Sequence, residues 1–159
     1  DKINAQTPIS AIEAPRIDDA ILWADRVRIA LSGIGFFETQ NYSFISQKNK
    51  EELGLLDSDI IEILNPLSSE QQYLRPNLLI NLFKNVKSNL PYYSDIKIFE
   101  IGNVFNKDDY ENKIYDVIDL RLSGAIAHKV DSDMYYEAKG VADYILKLLG
   151  INEYCYKDF

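Results

Sequence analysis

Cysteine is nearly absent from this 159-residue chain, which holds one, Cys155. A single thiol excludes an internal disulfide and any cysteine-cluster metal site. Histidine is equally scarce. His128, the sole histidine, excludes zinc sites built on paired imidazoles and leaves at most one imidazole for acid–base work. The surroundings of Cys155, residues 153–159 (EYCYKDF), are not electropositive enough to lower a thiol pKa. A Cys–His nucleophilic pair is therefore not expected, and both residues are assigned to packing or surface. No apolar stretch approaches the ~20 residues that span a bilayer, and the N-terminus (DKINAQTPIS) lacks the apolar core of a signal peptide. The expectation is a cytoplasmic protein without a membrane partner. Positive charge is also in short supply. Acidic residues outnumber basic ones 25 to 17, the net charge is −8, and no basic run offsets it. Tight docking on a nucleic-acid backbone needs clustered Lys and Arg, so the chain alone should bind RNA weakly.

What is there suits one globular domain: 47% of residues are hydrophobic and 26% charged, ordinary values for a folded chain. Roughly two thirds of the unfolded surface can be buried at this length, enough for one core. Residues 1–15, with Pro8 and Pro15, read as a linker, and 16–159 as the domain. Pro15 suits a helix first turn, with Asp18 and Asp19 favourably placed at the positive end of the helix. The helix runs from Ile17 to about Leu31 and stops at Gly33 and Gly35. Ala20, Ala24, Val27, Leu31 and Ile34 share one face. Leu22, Arg26 and Ile29 mark a second, with Trp23 between them. Apolar content on two sides indicates a helix between two layers, the second of which is either the same core or another chain.

Downstream, residues 36–45 read as a strand, Ser46 as the cap of a short helix ending at Gly54, and 60–64 as a strand stopped at Asn65-Pro66. Pro76 opens a helix with a buried stripe of Leu78, Leu79, Leu82, Phe83 and Val86. Residues 96–105 and 117–127 are strands. In the second, Ile118, Leu120, Leu122 and Ile126 alternate inward. A last helix spans about Met134 to Leu149 and closes at Gly150. Strands and helices mix without repeating βαβ units, which predicts an α+β fold on a mainly antiparallel sheet flanked by helices.

Five short stretches occur in a telling order. They are Leu31-x-Gly-x-Gly-Phe-x-Glu38 with Tyr42-Ser43-Phe44; Asn65-Pro66-Leu67-Ser68; Leu74-Arg75 leading into Leu78-Leu79; Ile98-Phe99-Glu100-Ile101-Gly102-x-Val104-Phe105; and Tyr135-Tyr136-x-x-Lys139-Gly140. Together they resemble the core module of the bacterial-type phenylalanyl-tRNA synthetase beta subunit, over about residues 16–150. The linker resembles the tail of the domain that precedes this module in that family. The resemblance implies a class II aminoacyl-tRNA synthetase fold in its degenerate, non-catalytic copy, incomplete here at its C-terminal end. It also implies partners: the alpha subunit, a second beta subunit and, in the holoenzyme, tRNA(Phe). The helix from Pro15 to Ser32 resembles the one that packs between subunits, which makes Leu22, Trp23, Arg26 and Ile29 interface candidates.

Catalytic members of this fold carry a strand reading Gly-Arg-Val-Tyr-Arg-x-Asp. Here residues 102–108 read GNVFNKD, so asparagines replace both arginines. The second arginine grips the ATP α-phosphate with a fixed charge and a fork of donors. Neutral Asn106 cannot, Asp108, Asp109 and Asp116 would repel a triphosphate, and Lys107 belongs to the opposite strand face. No catalytic residue, ATP site or metal site is therefore expected in this domain. ATP and Mg²⁺ belong to the parent holoenzyme.

The remaining motif residues, Asn65, Pro66, Arg75, Phe99, Glu100, Gly102, Lys139 and Gly140, are assigned structural roles. Arg75 could hold an anion at a helix N-terminus, but an ion pair or cap fixing the 65–68 turn is favoured, with Glu70 near in sequence. Glu100 is expected to partner Arg75 or Lys139. Gly140 suggests close approach of another backbone. Tyr92, Tyr93, Tyr135 and Tyr136 are assigned to packing or interfaces, since base stacking would want interleaved cations. The alternative function is a stand-alone synthetase paralogue that binds an amino acid or adenylate as a sensor.

Overall fold

The computed structural model describes residues 16, 18–107, 118–130 and 134–156. The linker reading, Pro15, and Asp108, Asp109 and Asp116 lie outside these residues. Helix α1 spans Asp19–Gly33, with Asp18 as its N-cap, accepting a hydrogen bond from the Ala20 amide at 2.9 Å. Gly35 follows with φ of 89°, a left-handed turn that a side chain would strain. Ala24, Val27 and Leu31 are buried with Ala30. The predicted stripe members at its two ends are not: Ala20 and Ile34 are exposed.

Residues 36–45 form two short strands rather than one, β1 at Phe37–Glu38 and β2 at Phe44–Ile45, in different sheets. The chain changes sheets because the Thr39 amide bonds Phe99 O at 2.7 Å, while Asn41 turns its amide to the Glu100 carboxylate. Ser46 caps helix α2, Gln47–Glu52, through reciprocal bonds with Asn49. Strand β3 is Ile61–Glu62, and β4, Tyr73–Leu74, was not anticipated.

Helix α3, Leu79–Asn89, starts three residues beyond Pro76. Its inward side carries Leu78, Ile80, Asn81 and Leu82, whereas Leu79 and Phe83 are exposed. A purely apolar stripe misplaces the face because buried Asn81 donates to Tyr42 O at 3.0 Å and so sits inside at little cost. Strands β5, Asp95–Phe105, and β6, Ile118–His128, are paired along their whole length. Helix α4 is Met134–Leu148.

Two small sheets result, β1-β5-β6 and β2-β4-β3, with β1 parallel to β5 and the other pairs antiparallel. On one face of the first sheet Phe99 packs with Val27, Leu31 and Phe36 and with Ile145 of α4. On the other, Ile96 and Ile98 meet Leu82 of α3. The alternation predicted for β6 fails over half its length. Ile118, Leu120 and Leu122 are exposed, because α1 and α4 reach the sheet at the Phe99–Ile126 end, leaving the other end of that face bare among the described residues.

Candidate functional site

The centre of the molecule is a charged network built by the motif stretches. Arg75 follows β4, and its backbone is held on both sides: its amide bonds Ser43 O at 2.9 Å and its carbonyl accepts from Phe105 N at 3.0 Å. That anchoring aims the guanidinium inward. Nη1 reaches Glu100 Oε1 at 2.6 Å and Nε reaches Asn103 O at 3.0 Å. Both side chains are 3% exposed. Glu100 Oε2 accepts from Asn41 Nδ2 at 2.7 Å, and Asn41 Oδ1 accepts in turn from Asn85 of α3 at 3.2 Å. A buried charge persists only when it is paired and its remaining lone pairs are met, and here every member is satisfied. The network ties the two sheets and α3 together. Among the described residues Glu100 touches neither a second carboxylate nor an imidazole, and Arg75 is committed through Nε and Nη1. Glu70 is exposed and not its partner, contrary to the expectation from sequence proximity.

Gly102 completes this centre. A Cβ there would lie 2.5 Å from Arg75 Nη2 and 3.4 Å from Leu78 Cδ2. Gly140, where close approach was expected, has nothing within 4 Å of an added Cβ; it lies on an open side of α4. Sequence alone could not rank the two glycines, because what crowds Gly102 is a side chain 27 positions away. The motif residues Asn65 and Pro66 lie in an exposed turn, and Lys139 sits 4.8 Å above the Tyr156 ring rather than near Glu100.

Asn106 lies at a cleft of about 320 Å³ with Asp59, Asp119 and Arg121. Among the described residues Arg121 is the cleft's only cationic side chain, and its Nη2 is bound to Asp119 at 2.7 Å. Lys107 points away and donates to Asp57 O at 2.6 Å. Among the described residues the cleft thus presents two carboxylates and one arginine already paired with a carboxylate, a balance of charge opposite to that of a phosphate-binding set.

The outer face of α1 has the opposite character. Ile29 is 74% exposed and Ile21 60% exposed. Trp23 is partly exposed with the Arg26 guanidinium 4.7 Å over its ring, and Leu22 is half-buried. Leu22, Arg26 and Ile29 fall on the side away from Ala24, Val27 and Leu31, as their helical spacing dictates.

The paired tyrosines are largely unpacked: Tyr92, Tyr93, Tyr135 and Tyr136 are all exposed, which corrects the packing role. Tyr154 and Tyr156 both donate to Asp143, at 2.7 and 2.8 Å. The bond to that carboxylate is the main reason the Tyr156 phenol is pushed up to about 12. Cys155 between them is exposed. His128 is no passive surface residue, since each ring nitrogen faces a carboxylate.

Comparison with known proteins fits this architecture. Residues 3–158 match the family described as phenylalanyl tRNA synthetase beta chain CLM domain. The phenylalanine–tRNA ligase beta subunit of Desulfotalea psychrophila is 32% identical over 96% of this chain. That of Fusobacterium nucleatum is 30% identical over 97%. The chain spans only 20% of each of these relatives. Among solved structures, a pyrrolysyl tRNA synthetase of Desulfitobacterium hafniense superposes with a TM-score of 0.70 at 19% identity, over 84% of this chain and 46% of that one. At that identity the likeness shows the fold: a synthetase core. The chain belongs to the phenylalanyl-tRNA synthetase beta chain CLM domain family.

Proposed function

We propose that this chain is a non-catalytic scaffold module of the beta subunit of a phenylalanine–tRNA ligase. The observation that carries the reading is the Asn106 cleft, where an asparagine stands at the position of the phosphate-gripping arginine and, among the described residues, the one lining arginine is paired with Asp119. Binding of ATP, Mg²⁺, phenylalanine and the acceptor end of tRNA(Phe) then belongs to the alpha subunit of a cytoplasmic holoenzyme. What remains for this domain is assembly, and the exposed Ile21 and Ile29 on the outer side of α1, with Trp23 at its edge, supply apolar side chains for it. Exposed apolar patches of this kind mark interfaces, and aromatic anchors commonly dominate their energy.

A stand-alone amino-acid sensor is the weaker reading. It would need groups for an ammonium and a carboxylate. Among the described residues, the apolar cavity of about 380 Å³ between β6 and α4 has Ser123 as its only polar side chain, and in the larger polar cleft beside β3 Lys50 is already paired with Asp57. The deciding experiment co-expresses full-length beta subunit with its alpha partner and follows assembly by size-exclusion chromatography. Leu22→Asp with Ile29→Asp should leave the domain folded and abolish the complex. A double variant that still assembles would remove α1 from the interface.

A further inference from the structure

His128 ends β6, opposite Asp95 on β5, and its side chain is 14% exposed. Nδ1 lies 2.7 Å from Asp95 Oδ1, and Nε2 lies 2.9 Å from Glu137 Oε2 in the first turn of α4. Glu137 also holds Lys97 of β5, with Oε1 at 2.5 Å from Nζ. Among the described residues, the groups facing the imidazole are thus Asp95 and Lys97 from β5 and Glu137 from α4; Lys129 of the adjoining turn is directed to Pro91 O at 3.2 Å. A neutral imidazole has one N–H and one lone pair, so it can satisfy one carboxylate and must present the lone pair to the other. Only the imidazolium donates to both. The rest of α4 is held differently. Its buried contacts come later in the helix, from Val141, Ile145 and Leu148 against the Phe99 core, while Met134, Tyr135 and Tyr136 are exposed.

We propose that His128 is a pH-operated latch, fastening the first turn of α4 to the β5–β6 hairpin while its ring is doubly protonated and loosening it when the ring is neutral, with the Lys97–Glu137 pair left as the remaining tie. The aromatic pair Tyr135–Tyr136 is thereby held in place, or loosened, by one proton. The bond to Glu137, then that to Asp95, raises the His128 pKa above its ordinary value against a smaller opposing effect of burial. A raised folded-state pKa means that the latch contributes fully below ~6.5, the unfolded value. Its contribution is lost as pH climbs through the higher folded value.

Because His128 is the only histidine, its ring resonances are assigned without ambiguity. The test titrates them by NMR in the 159-residue chain and measures amide exchange of α4 across the same range, corrected for intrinsic rates. The expected midpoint lies above ~6.5, with exchange rising at least tenfold through it at residues 137–140, whose amides bond the carbonyls of the first turn, while residues 142–148 are unchanged. Glu137→Gln should lower the midpoint, and His128→Gln should make exchange at 137–140 pH-independent. A midpoint at or below the free imidazole value, or protection of the first turn unaffected by the titration, would overturn the latch.

Discussion

Replacing Arg75 with alanine leaves Glu100 buried and without its cation. The two side chains are 3% exposed and 2.6 Å apart, and the remaining partner of the carboxylate is the neutral Asn41. Breaking a buried pair from one side costs about 3–5 kcal/mol, a large share of the ~5–15 kcal/mol that holds a domain folded. At ~2–4 °C per kcal/mol for a chain of this length, the melting temperature should fall by roughly 6–20 °C. The double variant Arg75→Met/Glu100→Leu removes both charges, so it should recover part of that loss, the residue being the two Asn41 donors left without an acceptor. Thermal unfolding by circular dichroism, with urea titration as a check on two-state behaviour, reads all three proteins. If Arg75→Ala melts within ~2 °C of the wild type, or if the double variant is less stable than the single, the network does not organise the fold and the structural assignment of these motif residues fails.

Gly102→Ala should destabilise by ~1–3 kcal/mol by overpacking, since its methyl group would overlap the pinned Arg75 guanidinium, whereas Gly140→Ala on open α4 should be neutral or stabilising. Urea midpoints compare the two, and equal effects would show that Gly102 is not crowded. Binding of tRNA to the chain should be weaker than ~1 µM and strongly salt-sensitive, because a net charge of −8 opposes the polyanion. Sub-micromolar affinity at physiological salt, measured by fluorescence anisotropy, would reveal a basic surface that the composition conceals.

Much of this was legible in one sequence, and the failures have a common cause. The helix α1, the Ser46 cap, and strands β5 and β6 follow from local signals: periodicity, a serine before a short helix, an apolar run. The loss of phosphate-binding charge at Asn106 was legible too, because it depends on residue type against a motif. Misreadings arose where distant partners decide. Residues 36–45 looked like one strand because their composition is uniformly β-forming; the break at Gln40 and Asn41 is imposed by Phe99 O and Glu100, some 60 positions on. Asn81 was left out of the buried stripe of α3, and Tyr42 O is what accepts its amide inside. Ile118, Leu120 and Leu122 alternate correctly for a covered face, yet no described element covers them. His128 was read as a bystander because Asp95 and Glu137 are brought to it by the sheet register and the return of α4, neither visible locally.

Phenylalanine-dependent exchange of pyrophosphate into ATP tests most directly whether the domain keeps a synthetase framework without its chemistry. Assayed alone, the chain should give no exchange above a buffer blank, and Arg121→Ala should change nothing, since that arginine already serves Asp119. Exchange clearly above the blank, and abolished by Arg121→Ala or Asn106→Ala, would place a working adenylation site in this cleft and contradict the scaffold assignment.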